Sequence, residues 1–354
     1  YGERMAALVS APAVVYSTSA AWIAAPAASA SGTAWLEVAA DDGDAHAVAS
    51  FRGDRLVVRR AGRVRGVVHQ PCMERPCSTV QGPVAASDGA FAYAVAFPGT
   101  GGYVASVAAD GRSGIVAEDE TDPHRIARPH LVASTGSAIA WVDENRIHLA
   151  PASGRPDNVV VQDERAGGTI IAIGAGSAGI AWIARSPGGG TAIGVRTAAG
   201  AISVRASEPV AAIARFASVG IAADGTVVAV RRVAVDALWR TELVAYAVDG
   251  TARTLVATAA LAATTTETVP HVSVADGLAA VRLVSGRRGE LDVVWIVAVA
   301  SGARQRVVAV RRASARLSDA AVGGGRLVWS RSTLTASGGL VRSRLQSAAV
   351  AVVG

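Results

Sequence analysis

The chain contains no lysine: all 34 of its cationic residues are arginine, and Ala, Val and Gly replace most other choices. This composition is typical of a GC-rich genome, so the net charge of +6 partly reflects codon usage. A positive surface still attracts acidic polymers. Because no lysine cluster or aromatic-interleaved basic stretch is present, the sequence indicates no specific nucleic-acid interface.

Cysteine is scarce, and its only two copies, Cys72 and Cys77, lie in the proline-flanked segment Pro-Cys-Met-Glu-Arg-Pro-Cys. A short disulfide loop is the preferred interpretation, and it implies an oxidising compartment. We therefore expect an extracytoplasmic protein, secreted or at the cell surface. Two free thiols, or a metal site with His69 and Glu74, are the alternatives. The spacing is not a standard zinc motif, so we expect no metal.

Long apolar runs are also missing, so the sequence predicts no transmembrane segment. The apolar stretch from Met5 to Ala30 ends in Ala-Ser-Ala, which suits a signal peptidase. Arg4 is the only basic residue nearby, however, and Pro12 and Pro26 interrupt the stretch. We favour a structural strand in this region and keep a signal peptide as the alternative.

Recognisable catalytic motifs are absent. There is no G-x-S-x-G elbow, no H-E-x-x-H motif and no P-loop, and the six histidines occur singly. The segment Gly174-Ala-Gly176-Ser-Ala-Gly179 matches a dinucleotide fingerprint, but the turn residues 186–190 leave no room for a phosphate-binding helix. We interpret these glycines as part of a hairpin, assign no catalytic residue and expect no nucleotide or other cofactor.

What the chain has in abundance is short runs of Val, Ala, Leu and Ile, broken every few residues by Gly, Asp or Ser. This pattern indicates many short strands. Similar two-strand patterns end at six glycines, which are Gly62, Gly111, Gly154, Gly200, Gly250 and Gly302. These glycines are separated by 49, 43, 46, 50 and 52 residues. That period matches a four-stranded propeller blade.

Asp-Gly turns recur between the first and second strands of the units, at Asp88-Gly89, Asp224-Gly225 and Asp276-Gly277, because this pair supplies the positive φ of tight hairpins. With such turns before an apolar second strand, the chain resembles the β-propeller superfamily, especially WD40-like and TolB-like propellers. The Trp-Asp dipeptide and Gly-His pair of WD40 repeats are absent, so the resemblance transfers no site residue.

We therefore predict an all-β fold, a single seven-bladed β-propeller of four-stranded antiparallel blades. Residues 33–315 would form six complete blades, residues 316–354 a last blade with three strands, and residues 1–32 the closing strand and lead-in. The segment around Ala13 to Trp22 is predicted to pair beside Val341 to Ala351 as the outermost strand of the last blade. This pairing removes an apolar edge that would otherwise promote aggregation.

Bulky aromatic residues recur in the second strands: Trp141, Trp182 and Trp329 occupy equivalent positions, and Tyr93 matches them. We expect these side chains to pack between blades. Trp239 falls in a segment that we interpret as a long connection, and it is the aromatic residue that we expect to be available for binding.

Connections between blades, and between second and third strands, vary in length, whereas the other turns are short. Both variable classes emerge on one face of a propeller, the loop-rich face, and variable loops on a rigid scaffold commonly carry function. The acidic loop before residue 126 and its counterpart in the next unit also suit a simple solvated surface. The candidate ligand-binding residues on this face are Asp122, His124, Arg125, Asp163, Arg165, Asp236, Trp239, Arg240, Arg287 and Arg288.

Three functional hypotheses follow. The first is a non-enzymatic extracytoplasmic propeller that binds or scaffolds a protein or an anionic envelope component through the loop-rich face. The second is a propeller hydrolase or lyase acting on a polysaccharide, although an aromatic content of 5% argues against a sugar-stacking surface. The third is a self-assembling subunit of a repeating cell-surface array, in which the basic hairpin from Arg55 to Arg65 packs between copies.

Overall fold

The structure of the chain is a computed structural model. It describes residues 5–8, 10–39, 52–53, 55–68, 79–85, 90–97, 101–108, 112–118, 131–143, 145–151, 158–162, 168–209, 214–262 and 270–353. Within these ranges the chain forms strands and turns and no helix. The predicted fold is confirmed: the strands, numbered in chain order, form a seven-bladed β-propeller of antiparallel sheets.

The first three blades contain the following strands, in order from the axis outward. Blade 1 contains β3 (Ala21–Ser29), β4 (Gly32–Ala39), β6 (Arg55–Arg60) and β7 (Arg63–Val68). Blade 2 contains β8 (Thr79–Ala85), β9 (Phe91–Phe97), β10 (Gly101–Val107) and β11 (Ser113–Glu118), with β5 (Arg52–Gly53) paired to β8. Blade 3 contains β12 (Leu131–Ser134), β13 (Ala138–Asp143), β14 (Arg146–Pro151) and β15 (Asn158–Gln162).

The remaining blades follow the same order. Blade 4 contains β16 (Thr169–Gly176), β17 (Gly179–Arg185), β18 (Thr191–Thr197) and β19 (Ile202–Glu208). Blade 5 contains β20 (Ala214–Ile221), β21 (Val227–Val235), β22 (Leu238–Tyr246) and β23 (Ala252–Ala257). Blade 6 contains β24 (Val272–Ala275), β25 (Leu278–Ser285), β26 (Leu291–Ala298) and β27 (Arg304–Arg311). In blade 7, β28 (Ala315–Leu317) and β29 (Ala321–Gly323) both pair with β30 (Arg326–Leu334) and form the innermost position. Strand β31 (Leu340–Val353) follows outward, with β1 (Met5–Leu8) and β2 (Ala13–Thr18) at its outer edge.

The N-terminal segment closes the ring, as predicted. Strand β2 pairs antiparallel with β31, with Ala13 opposite Ser347 and Thr18 opposite Ser343. Strand β1 extends the closure along the same edge, with Met5 opposite Val353. The two strands leave no long outer edge on the described part of β31, which is the physical reason for the closure.

Trp22 lies outside this closing strand, in contrast to the predicted range. The chain bends at residues 19–20, and Trp22 begins the innermost strand of blade 1, where it is 1% exposed. Blade 1 thus starts at Ala21, twelve residues before the predicted first complete blade. The reason is burial: the whole apolar run of β3 is buried next to the axis, whereas β2 is largely exposed at the rim.

The recurrent aromatic residues pack between blades, as predicted. Tyr93, Trp141, Trp182 and Trp329 are all at most 4% exposed, and each packs in a cluster with residues of the preceding blade. The ring of Trp141 stacks on His148 of the neighbouring strand at 5.3 Å between centroids. These side chains therefore stabilise the contacts between blades.

Glycines in the dinucleotide-like segment allow the innermost strands to approach each other. A Cβ on Gly174 would overlap the backbone of β20, and one on Gly176 would lie 2.8 Å from the carbonyl oxygen of Ile221. Gly179 begins β17 directly after the hairpin turn, with φ of +139°. The segment is thus explained by close packing and a turn, in agreement with the hairpin interpretation.

Some of the arginine side chains join one blade to the next. In three places among the described residues, an arginine side chain donates to carbonyl groups at the end of the third strand of the next blade. The pairs are Arg60 with Val107 and Ala108, Arg205 with Ala247 and Val248, and Arg253 with Val299 and Ala300. These charges support the ring, so net charge alone overstates the cationic surface that can bind a ligand.

Candidate functional site

Trp239 lies on a hairpin, not in a long connection, which corrects the sequence-based interpretation. Strands β21 and β22 pair along nine residues each and are joined by a turn of two residues, Asp236 and Ala237. Asp236 has φ of +55°, a conformation that its short polar side chain tolerates. Strand β20 accompanies β21 only as far as Val233, so the hairpin tip extends beyond it. The tip lies on the loop-rich face.

One side of this hairpin faces blade 6 and carries the aromatic residue. Val228 and Val230, which share that side, pack with residues of blade 6. Further along the same side, the guanidinium of Arg232 lies 5.1 Å from the centre of the Trp239 ring. Burial lowers the pKa of Arg232. Trp239 is half-buried and Leu238 beside it is 39% exposed, so the tip offers an apolar surface to a ligand.

The other side of the hairpin faces blade 4 and carries a chain of ion pairs. Arg231 lies 2.7 Å from Glu208 of β19 and 3.7 Å from Glu242 of β22. Glu242 is 5% exposed and also lies 2.7 Å from Arg240. The two positive charges of the arginines and the two negative charges of the glutamates therefore balance one another. Arg240, predicted as a ligand-binding residue, is held by this network with 42% of its side chain exposed.

A groove in blade 4 adjoins the end of this network at Glu208. Its cavity volume is about 330 Å³, and its apolar floor is formed by Trp182, Ala184, Ala192 and Gly194. The indole of Trp182 lies directly on Gly194, where any Cβ would overlap the ring. The groove is lined by the ends of the second and fourth strands and the start of the third, which places it on the loop-rich face. Sequence analysis missed it because only the fold brings these short segments together.

Arg287 and Arg288, two further predicted ligand-binding residues, lie in the turn between β25 and β26 on the same face. Both are exposed. The backbone N–H of Arg288 donates to the Glu290 carboxylate at 2.9 Å, and such backbone hydrogen bonds lower the pKa of Glu290. Within the described residues, neither arginine forms an ion pair or hydrogen bond with the blade 5 hairpin. The structure therefore places them on a separate part of the face.

A buried charged cluster joins blades 6 and 7. Arg282, 5% exposed, lies 3.5 Å from Asp292 and 3.6 Å from Asp319. Asp292 also accepts the backbone N–H of Leu317 at 3.2 Å, and Asp319 accepts that of His271 at 3.4 Å. Burial raises the pKa of Asp319 and lowers that of His271. The one sequence signal for this cluster is an arginine inside the apolar run of β25.

The central channel contains a cavity of about 530 Å³. Its described lining comes from the innermost strands of blade 1 and blades 3 to 7 and consists mainly of Ala, Gly, Val, Ile and Ser. Within that lining the ionisable residues are His271 and Asp276. Asp276 accepts the backbone N–H of Gly325 at 3.0 Å, which joins blade 6 to blade 7. The described wall thus suits ring packing better than acid–base chemistry.

Several sequence-based predictions lie outside the described residues. They concern the candidate ligand-binding residues of two loops and the cysteine pair: Asp122, His124, Arg125, Asp163, Arg165, Cys72 and Cys77. Each stays a prediction. Among the residues that the structure does describe, no three His, Cys, Asp or Glu side chains are grouped to hold a metal ion. The described ranges also include no helix with the length and apolarity needed to cross a membrane.

No protein-family model matches the chain, and no curated protein matches its sequence. Solved structures match its fold. A prolyl endopeptidase structure has a TM-score of 0.56 at 10% identity, covering 96% of this chain and 51% of its own. YCF48 from Cyanidioschyzon merolae has a TM-score of 0.52 at 10% identity, covering 96% and 98% respectively.

The β-propeller domain of Cps50 (Swd1) from Myceliophteria thermophila also has a TM-score of 0.52, at 12% identity, covering 95% of this chain and 99% of its own. The fold is that of a β-propeller. At these identities the similarity shows the fold alone, and this chain spans about half the length of the prolyl endopeptidase.

Proposed function

We propose that this chain is a binding propeller that engages a protein partner through the loop-rich face of blades 4 and 5. The observation that carries the proposal is the grouping of an apolar groove, an ion-pair network and an aromatic side chain at that face. The groove over Trp182 ends at Glu208, which pairs with Arg231 of the blade 5 hairpin. On the opposite side of the same hairpin, Arg232 lies against the half-buried Trp239 ring.

The residue types in this surface support protein binding. Tryptophan and arginine are enriched among the residues that contribute most to protein interfaces, since they combine a large contact area with hydrogen-bond donors. Glu242 is buried, and its ion pairs hold the side chains of Arg231 and Arg240 in place, which lowers the entropy lost on binding. An extracytoplasmic location is part of the proposal and depends on the pairing of Cys72 with Cys77.

Photocrosslinking tests the proposal in the native host. A photoreactive amino acid replaces Leu238 or Arg185 on the loop-rich face, or Ala198, an exposed turn residue between β18 and β19 on the opposite face. We expect one partner to crosslink from both loop-rich positions and not from position 198. Its purified form should bind the Trp239→Ala variant at least about tenfold more weakly, the loss of one anchor residue. Equal crosslinking from all three positions, or none, contradicts the proposal.

A second candidate function is the propeller part of a peptide hydrolase. The prolyl endopeptidase, puromycin hydrolase and tricorn protease structures have TM-scores of 0.56, 0.51 and 0.51 with this chain. The chain covers 51%, 50% and 34% of them. The substrate of this candidate is a peptide, whereas the enzyme hypothesis drawn from the sequence names a polysaccharide. Release of fluorophore from a proline-containing peptide by the native protein, abolished by a serine-hydrolase inhibitor, would favour it over simple binding.

A further inference from the structure

The groove of blade 4 has the size and chemistry of a pocket for one apolar side chain. Its volume of about 330 Å³ is at the lower end of ligand pockets, which span about 300–1,000 Å³. Ala184 and Ala192 are half-buried, and Gly190 and Gly194 add no side chains to the walls. The floor is therefore apolar and lined by small residues, with the buried Trp182 beneath them.

The charged residues at the rim of the groove are not equivalent. Among the described lining residues the one carboxylate is that of Glu208, which already lies 2.7 Å from Arg231. Arg185 at the rim is exposed, and the guanidinium of Arg215, also exposed, lies beside Gly189 in the turn that borders the groove. Neither Arg185 nor Arg215 forms an ion pair with any other described residue. Across the described part of the rim, the charge that a ligand can meet is positive.

Apolar and charged features together specify the occupant. A large apolar side chain would lie on the half-buried Ala184 and Ala192, above the buried Trp182. Carboxylates on either side of it would face Arg185 and Arg215. Exposed arginines favour carboxylates because the guanidinium donates two hydrogen bonds in a plane. Because the floor has few polar atoms, a ligand with charged groups alone would gain no binding free energy from contact with it.

We infer that the blade 4 groove binds an acidic, extended segment of the protein partner and takes one large apolar side chain of that segment onto Ala184 and Ala192. This inference rests on the proposed function and names its recognition pocket. The hairpin of blade 5 then contributes contacts outside the pocket.

Selection from a random dodecapeptide phage library tests the inference with the full chain. Counter-selection uses the Ala192→Leu variant, in which the larger side chain fills the groove. We expect selected peptides to carry one Leu, Ile, Phe or Met flanked by at least two acidic residues. Peptides without an apolar residue, basic peptides, or peptides retained equally by the filled variant would overturn the inference.

Fluorescence anisotropy with one selected peptide then measures how much the apolar lining and the arginine at the rim each contribute to the affinity. Ala192→Leu and Arg185→Glu should each weaken binding at least about tenfold, and the wild-type binding should weaken as salt increases. Ala198→Leu on the opposite face is the matched control and should bind like the wild type. Thermal unfolding of each variant confirms that it is folded.

The two tests separate the pocket from the proposed function. If crosslinking at position 238 identifies a partner whose binding is unchanged by Ala192→Leu and Arg185→Glu, the pocket inference is wrong and the binding function stands. If crosslinking is equal on the two faces, the proposed function is wrong, and the pocket inference that rests on it is wrong as well.

Discussion

The hydroxyl group of Ser330 donates a 2.6 Å hydrogen bond to the backbone carbonyl of Ile23, although 307 positions separate the two residues in the chain. Both residues are 0% exposed. Ser330 lies in the second strand of blade 7 and Ile23 in the innermost strand of blade 1. This bond therefore joins the last blade to the first inside the ring, while β1 and β2 join them at the rim.

Ser330→Ala should lower the free energy of unfolding by about 1–3 kcal/mol, because it leaves a buried carbonyl without this donor. Chemical denaturation measures the change. Ser337→Ala, in an exposed turn after β30, removes a hydroxyl from the surface and should change stability by less than about 0.5 kcal/mol. Equal effects of the two substitutions would contradict a special role for the buried bond.

Removal of residues 1–18 should destabilise the whole ring and cause aggregation. The deletion strips both closing strands from β31 and exposes its edge, yet leaves β3 and blade 1 complete. Light scattering during heating measures the aggregation. Removal of residues 1–9 is the control: it takes away β1 alone, keeps β2 on the edge and should have a clearly smaller effect. A monomeric, equally stable product of the longer deletion would disprove the closure model.

Gly194→Ala should destabilise the protein by about 1–3 kcal/mol, since the new methyl group overlaps the Trp182 indole and forces a shift in a packed region. The melting temperature and the near-UV circular dichroism of the tryptophans report the change. Gly114→Ala is the matched control in another strand: a Cβ there meets no atom within 4 Å, so stability should stay the same or rise slightly.

His271 should make stability depend on pH. Burial lowers its pKa, an effect that the nearby carboxylate of Asp319 opposes. The folded state therefore disfavours the protonated ring. The contribution of this residue to the free energy of unfolding is complete above the unfolded pKa of about 6.5 and is lost as pH falls through the lower folded value.

Thermal unfolding between about pH 7.5 and 5 tests this dependence on both wild type and His271→Gln. The melting temperature of the wild type should fall more steeply toward low pH, because only the wild type must take up a proton at this site on unfolding. Asp319, with its pKa raised by burial, and Arg282 are present in both proteins, so their own effects largely cancel in the difference. Parallel curves would contradict the prediction.

Cys72 and Cys77 should be joined in protein recovered from its native host. Alkylation before reduction should modify neither residue, and alkylation after reduction should modify both, as peptide mass spectrometry will show. Modification of both thiols without reduction would remove the basis for an extracytoplasmic location.

The repeat could be predicted from the sequence because its causes are local. Turns such as Asp276-Gly277 fix hairpins through one backbone conformation, and the spacing of closing glycines is the length of one blade. Second strands such as β17 are apolar on both sides because they are buried between two blades. The exposed edge of the last blade likewise required a closing strand, which the N-terminal segment provides.

The candidate site is only partly accessible from the sequence. Trp239 and Arg240 stand out there, but the pattern around them predicts a long connection, since nothing local shows that β21 and β22 pair as far as a two-residue turn beyond the end of β20. The burial of Trp182 is predicted correctly, yet its role as the floor of a groove depends on Gly194, which comes from the next strand.

By itself, then, the sequence determined the strand-and-turn pattern, the number of blades and the need for closure, because hydrophobic alternation and turn chemistry act over a few residues. Only the tertiary structure decided that Glu208, Arg231, Glu242 and Arg240 form one network, and that the groove lies at its end. Contacts between blades depend on the twist and stagger of whole sheets, and these geometric quantities leave no mark on any single stretch of sequence.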